Sequence, residues 1–287
     1  MNPFNNKKRF FGLQLKHDLM CGCFKSVYKL IPFVIIIVIG YYSFFTDVEN
    51  MFKIGKLSTK LPSFMDSMLY FFRGVKAQDI ALGRDFPIPI MWLWIQIYTL
   101  FSIGSYPSDD LSGYGIQSII RTSKKEYWLA GKYFYCFVQV LINYLAVIAV
   151  VFCLSSIHGT EFFVIHKELL FDFFEIENDL TFKEVLINSF LLPLFTSVIV
   201  SFIYSTLMLK IKPIIAFVIV AAYQIFAVFV KSPLLIGNFS MIMRSSSVLG
   251  ENGFSSFFAL VIESVLLFLT CVSGVFLIKR TDFIEKS

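Results

Sequence analysis

Charge is sparse in this chain: only 16% of its 287 residues are charged, and histidine occurs three times. Catalytic signatures are missing too. No G-x-x-x-x-G-K-[ST] phosphate loop is present, so the chain itself is not expected to hydrolyse ATP, and neither an H-E-x-x-H zinc motif nor a G-x-S-x-G elbow occurs. His158 and His166 share one loop but have no glutamate at helical spacing, which argues against a metal pair. His17 and Cys21 stand four apart and can share a helix face, yet Cys23 points elsewhere and no fourth ligand is evident. Small apolar packing at a membrane interface is the simpler reading of these residues, with lipidation of a cysteine as the lesser alternative. Cys21, Cys23, Cys136, Cys153 and Cys271 make no disulfide framework. No catalytic residue, bound cofactor or metal site is expected on this chain.

Apolar residues are what the chain has in excess. They form 57% of it, with 35 phenylalanines and a mean hydropathy of +0.73. A single soluble core saturates long before it could bury so much surface, so a membrane protein is the expectation. Six runs are long enough to cross roughly 30 Å of hydrocarbon as helices at about 1.5 Å per residue. They are Ser26 to Phe45, Phe86 to Ser105, Tyr133 to Ser156, Leu186 to Leu209, Pro213 to Val230 and Ser256 to Ile278. The first is read as a retained span and not as a cleaved leader, because its apolar core is long and no small-x-small site follows.

Basic residues orient the spans. With both termini in the cytoplasm, 15 of 25 basic residues lie inside, including Arg121, Lys124, Lys125, Lys132, Lys210 and Lys212, whereas 13 acidic residues fall in outer loops against six inside. The net charge of +5 thus reflects topology, and no nucleic-acid partner is expected. In "RFFGLQLKHDLMCGCFKSVYK" apolar and charged residues interleave, as in an amphipathic helix lying among headgroups, the alternative being an ordinary basic tail. The outer loop from Thr46 to Asp85, broken by Pro62, Gly74 and Gly83, carries too few strong strand or helix signals to be a separate domain, and the acidic loop from Ile157 to Val185 is read as solvated surface in preference to an attractor of cationic substrate. "KIK" joins the fourth and fifth spans in a tight hairpin, with Pro213 in the first turn of the following helix. The segment "KSPLLIGNFSMIMRSSSVLGENGFSS" is too apolar for a free loop and too short for a span, which points to partial re-entry with a protein-shielded backbone.

Glu263 is the one ionisable side chain within a span, so it should face protein or a wet cavity, or else snorkel towards the outer interface. Gln96, Gln139, Asn143, Asn188 and Gln224 can bond helix to helix. The most conspicuous feature is a polar island, "YPSDDLSGYGIQSIIRTSKKEYWLAGKY", between two apolar runs. Asp109 and Asp110 read as capping charges at the start of a short helix in preference to paired catalytic carboxylates. At 100° per residue, Leu111 to Arg121 gathers Ile116, Ile119 and Ile120 on one face and Tyr114, Gln117 and Arg121 on the other. The second face suits a protein partner, because aromatic and arginine residues anchor interfaces.

Six spans, an amphipathic N-terminal segment, a polar cytoplasmic helix after the second span and a semi-apolar outer segment before the sixth resemble the permease subunit of type-2 ABC exporters. The island is similar to that family's glycine-punctuated segment, followed by an arginine, a serine/basic cluster and an aromatic, although "KKE" replaces the more usual serine/arginine wording. The resemblance implies one permease domain over 1–287, an all-α membrane protein with six transmembrane helices. Residues 1–25 become an elbow helix and 106–132 a cytoplasmic loop carrying a coupling helix. It implies a plasma-membrane protein with both termini cytoplasmic, surrounded by membrane lipid and paired with a second permease chain. A separate ATPase subunit would hold ATP and Mg and bind Tyr114, Gln117 and Arg121, with Glu263 on the substrate path or at an interface. The expected cargo is hydrophobic or amphipathic, peptide or lipid-like. The competing classes are an intramembrane enzyme and a non-transporting immunity or sensor protein.

Overall fold

Backbone groups in hydrocarbon find no water to bond, so long apolar runs fold as helices that satisfy them internally. In a computed structural model, which describes residues 11–76, 88–122 and 124–281, four helices are long and apolar enough to cross a membrane: Ser26–Lys53, Lys125–Ile157, Phe182–Leu207 and Ser256–Arg280. The chain therefore fits a multi-pass, all-helical membrane protein, and no β-strand is found among the described residues. We label the elements α1 (Leu30–Lys53), α2 (Phe64–Phe72), α3 (Ile90–Ile103), α4 (Tyr106–Leu111), α5 (Tyr114–Thr122), α6 (Lys125–Ile157), α7 (Phe182–Leu207), α8 (Pro213–Phe229) and α9 (Ser256–Arg280). Residues 11–17 are helical and run through a widened π turn at Asp18–Cys23 and a 3₁₀ stretch at Phe24–Lys29 into α1.

The boundaries depart from those read in the sequence. α1 continues past Phe45 to Lys53, where Glu49 and Lys53 pair at 2.8 Å across one turn. α6 starts at Lys125, eight residues before the expected third span. The second and fifth apolar runs yield only 14 and 17 helical residues. α3 begins after Pro89 and stops at Gly104, whose φ of 60° an L side chain adopts only with strain, so the chain turns there.

α7 is the central helix: 56% of its apolar window is buried, against 22% for α9, whose outward face keeps Phe257, Val265, Phe268, Val272 and Phe276 exposed. Thr196, Ser197, Ser201 and Ser205 line α7 with small polar side chains, letting neighbouring helices approach closely.

The segment after α8 is buried from Leu235 to Ser245 in short 3₁₀ turns. Arg244 holds it. Its guanidinium is fully buried and meets no carboxylate among the described residues; Nε donates to Val75 O at 3.0 Å, Nη2 to Val228 O at 2.6 Å, and Nη1 to Ala227 O, Val230 O and Asn238 Oδ1. The acceptors at Ala227, Val228 and Val230 are terminal carbonyls of α8, where the helix dipole favours a cation.

The two loops expected to be surface are structured. Ser63 and Asp66 form a reciprocal capping box that starts α2, a helix absent from the sequence reading. The acidic loop is likewise not merely solvated: Leu169, Leu170, Phe174, Ile176 and Leu180 are buried against Phe44, Val48, Met65 and Leu69. His166 Nδ1 lies 2.6 Å from Asp66 Oδ2, and His166 N donates to Asp66 Oδ1 at 3.2 Å, which joins the two loops. The hydrogen bond to Asp66 raises the histidine above its ordinary value of 6.5; partial burial works against this, and the nearby charges of Asp66, Glu161 and Glu168 add to it. A histidine raised on folding adds stability that is complete below its unfolded value and fades as pH climbs through its folded value. Wild type should therefore exceed His166→Gln in unfolding temperature at about pH 6, with the gap closing by about pH 9. An equal gap at both pH values in detergent micelles would refute this clasp.

Candidate functional site

The polar island folds onto the start of α6 around one buried ammonium. α4 begins with Pro107 in its first turn, and Ser105 Oγ donates to Asp109 Oδ2 at 2.6 Å. Asp110 is turned inward. This corrects the capping reading: a two-residue turn at Ser112 and Gly113 separates it from α5, and its carboxylate meets Lys132 Nζ at 2.7 Å and Trp128 Nε1 at 2.8 Å. Trp128, Gly131, Lys132 and Tyr135 share one face of α6 by their spacing of three, four and seven.

Two glycines permit this junction. A Cβ on Gly115 would stand 2.5 Å from Trp128 Nε1 and 2.7 Å from Asp110 O, so α5 can rest on the indole only without a side chain there. A Cβ on Gly131 would stand 2.7 Å from Gln14 Nε2 and 2.9 Å from Asp18 Oδ2, so the N-terminal helix docks on α6 for the same reason.

Lys132 and Asp18 are both fully buried and ion-paired, and Tyr106 donates to the same Asp18 Oδ1 at 2.8 Å. The ammonium also lies 4.6 Å from the Tyr106 ring and 5.4 Å from that of Trp128, within cation–π range. Gln14 Nε2 donates to Trp128 O at 3.2 Å and Gln14 Oε1 accepts from Ser118 Oγ at 3.1 Å, linking the N-terminal helix to α6 and α5. Burial pushes the Asp18 carboxyl above its usual range, and Lys132 offsets part of that. His17 Nδ1 sits 3.8 Å from both Asp18 Oδ1 and Asp110 Oδ1, and its ring stacks on Tyr114 at 3.9 Å between centroids. His17, Asp18 and Asp110 are close enough together to hold an ion. The lysine already stands between the two carboxylates, however, and its charge would repel a metal placed there.

Of the residues singled out in the sequence, Tyr114 is partly exposed and stacked on His17, and Gln117 points to solvent. Arg121 is in α5, but its side chain lies outside the described residues. The isoleucines do not act as one face: Ile119 is buried with Leu111, Trp128, Leu129 and Ile278, whereas Ile120 is 71% exposed. Glu263 is remote from this cluster. It does not snorkel; it is fully buried, accepts from Thr196 Oγ1 of α7, and leaves Oε2 without a partner among the described residues. Nearby, Gln96, Tyr144 and Ser197 close a ring of hydrogen bonds joining α3, α6 and α7.

Sequence reasoning passed over Asp18, Tyr106, Trp128 and Lys132. The available signal was Lys132 itself, a cation at the entrance of an otherwise apolar helix, four residues after a tryptophan.

With this geometry in view, the chain's relatives can be stated. Its sequence matches the pattern of the family described as "Protein of unknown function (DUF2705)" over residues 33–284, so the chain belongs to that family. No curated protein and no solved structure matches it.

Removing one partner of a buried ion pair leaves an uncompensated charge, at a typical cost of about 3–5 kcal/mol. Lys132→Met should lower unfolding stability in micelles by that order and loosen the N-terminal segment, read as faster proteolysis before Leu30. A transition and a cleavage rate like those of wild type would show that the cluster does not hold the junction.

Proposed function

We propose that this chain is the membrane-spanning subunit of a type-2 ABC exporter, driven by a separate ATPase. One observation carries the reading: α5 presents Gln117 and the apolar Ile120 to solvent, while its base is tied through Asp110, Trp128 and Lys132 to α6. A force applied to α5 is thereby delivered to a 33-residue helix long enough to cross a membrane. Rigid transfer of this kind suits a switch between two packings of a helical bundle. The resemblance of the island to that family's cytoplasmic loop supports the same assignment.

In this reading 106–132 is the coupling loop, with Tyr114, Gln117 and Arg121 of α5 against the ATPase, and the elbow assigned to 1–25 is described over 11–25. α3 and α8 complete six membrane crossings despite their shorter length, with both termini cytoplasmic in the plasma membrane. The exposed apolar sides of α8 and α9 are available to lipid or to a second permease chain. The cargo is hydrophobic or amphipathic, and this chain catalyses no reaction of its own.

Arg121→Glu should release the nucleotide-binding partner and abolish transport while leaving membrane insertion intact. Unchanged co-purification would remove the docking role. Glu263→Gln keeps the shape of the side chain at the α7–α9 contact but replaces its ionisable carboxyl with an amide. It should leave the ATPase bound and alter transport-coupled ATP turnover, so wild-type turnover would reduce Glu263 to a packing residue.

A further inference from the structure

Two arginines stand close together at the loop-bearing end of the bundle, and the protein treats them oppositely. Arg244 receives acceptors from four backbone carbonyls and one amide. Arg73, whose own carbonyl accepts from Met243 N at 3.0 Å, receives none: no hydrogen bond or ion pair to its guanidinium is found among the described residues. Asp47 and Glu175 act on it only through space. A planar cation with five N–H donors, largely withdrawn from water, is costly to leave without acceptors.

Its surroundings fix its position without satisfying it. The Tyr70 and Phe173 rings lie 5.6 Å and 5.7 Å from the guanidinium carbon, in cation–π range, and leave the N–H groups free for another ligand. Two small cavities meet at Arg73. One, of about 220 Å³, is walled by Lys76, Phe173, Phe174 and Glu175, and Lys76 is steadied there by Glu175 O at 2.5 Å. Glu175 reaches that carbonyl position through a φ of 56°, a strained backbone for a residue with a side chain. The other, of about 180 Å³, runs past Tyr70 to Ile88, Ile90, Met91 and Trp92 at the start of α3. Ile88 and Ile90 are 58% and 65% exposed, which makes this an apolar flank at the start of the 14-residue α3. Basic side chains at such an edge sit at the level of lipid phosphates.

We propose that Arg73 is a phosphate-binding residue for a membrane phospholipid. The phosphate is held by the guanidinium fork with Lys76 beside it, and an acyl chain lies along Ile88 and Ile90. Charge complementarity argues for this occupant: in one cavity Arg73 and Lys76 outnumber a single carboxylate, that of Glu175 at 4.0 Å from Lys76, while Ile88 and Ile90 line the other, and both meet at one guanidinium. The site stands apart from the transport reading and holds whether or not an ATPase binds.

The test uses the full chain in a nonionic detergent, with dioctanoyl phosphatidic acid, dioctanoylglycerol and inorganic phosphate as separate probes followed by calorimetry. The phosphatidic acid should bind saturably, and Arg73→Gln should weaken it roughly tenfold or more, the range expected for losing a charge-assisted fork. Arg73→Lys should recover only part of that affinity, because a lysine cannot engage two oxygens at once. Equal binding by wild type and Arg73→Gln overturns the proposal. So does dioctanoylglycerol binding as tightly as the phosphatidic acid to wild type, a comparison that needs no variant to fold. Inorganic phosphate binding as tightly as the lipid overturns the lipid assignment in favour of a free anion.

Discussion

A single ammonium, that of Lys132, anchors one end of this molecule. Withdrawing a lysine from water costs several kcal/mol, and the cost is met only where acceptors are placed around it beforehand. Here Asp18 and Asp110 approach from two separate segments, while the Tyr106 and Trp128 rings close the remaining sides. Because each of those groups is itself bonded elsewhere, the N-terminal helix, α4 and α5 all take their positions from the first turns of α6. Gly115 and Gly131 are the steric condition for this arrangement, since any side chain at either would hold the elements apart.

The buried polar groups of the bundle form a graded series. Lys132 is balanced by two carboxylates. Arg244 is balanced by the dipole and carbonyls at the end of α8, without an acid. Among the described residues Glu263 has one hydroxyl partner and one oxygen without a partner, and Arg73, only partly buried, has two aromatic faces and no hydrogen-bond acceptor. Satisfied groups rigidify a fold, whereas incompletely satisfied ones mark places where a ligand or a second packing completes the set. The first two therefore belong with architecture, and the last two are the groups on which the proposals for transport and lipid binding rest.

This division gives the proposed exporter a physical outline. The junction around Lys132 makes the surface helix and a long membrane helix move as one body, and the thin polar seam of Gln96, Tyr144, Ser197, Thr196 and Glu263 lies where α3, α6, α7 and α9 meet. Hydrogen bonds between helices at membrane depth are individually modest, so such a seam can be re-paired without dismantling the bundle.

Much of the helix order was legible from hydropathy alone, because lipid and core both demand apolar helices. α1, α6, α7 and α9 were all foreseen, and Pro213 marked the start of α8. α2 escaped notice although "SFMD" carries its capping box, since a loop of mixed charge masked a short amphipathic run. The acidic loop was misjudged for a related reason: its leucines and phenylalanines gain a core only when α2 and the distal half of α1 are in place to receive them. Asp110 shows the limit most clearly. Local spacing makes it a capping charge, whereas its actual partners are Trp128 and Lys132 of α6, and Lys132 is shared with Asp18, 114 residues before it. Sequence by itself determined an all-helical chain rich in membrane-length segments and a polar island set apart from them. Only the tertiary structure decided which charges are buried together and which are left open, because the cost of burying a charge is set by neighbours that the chain brings close only on folding.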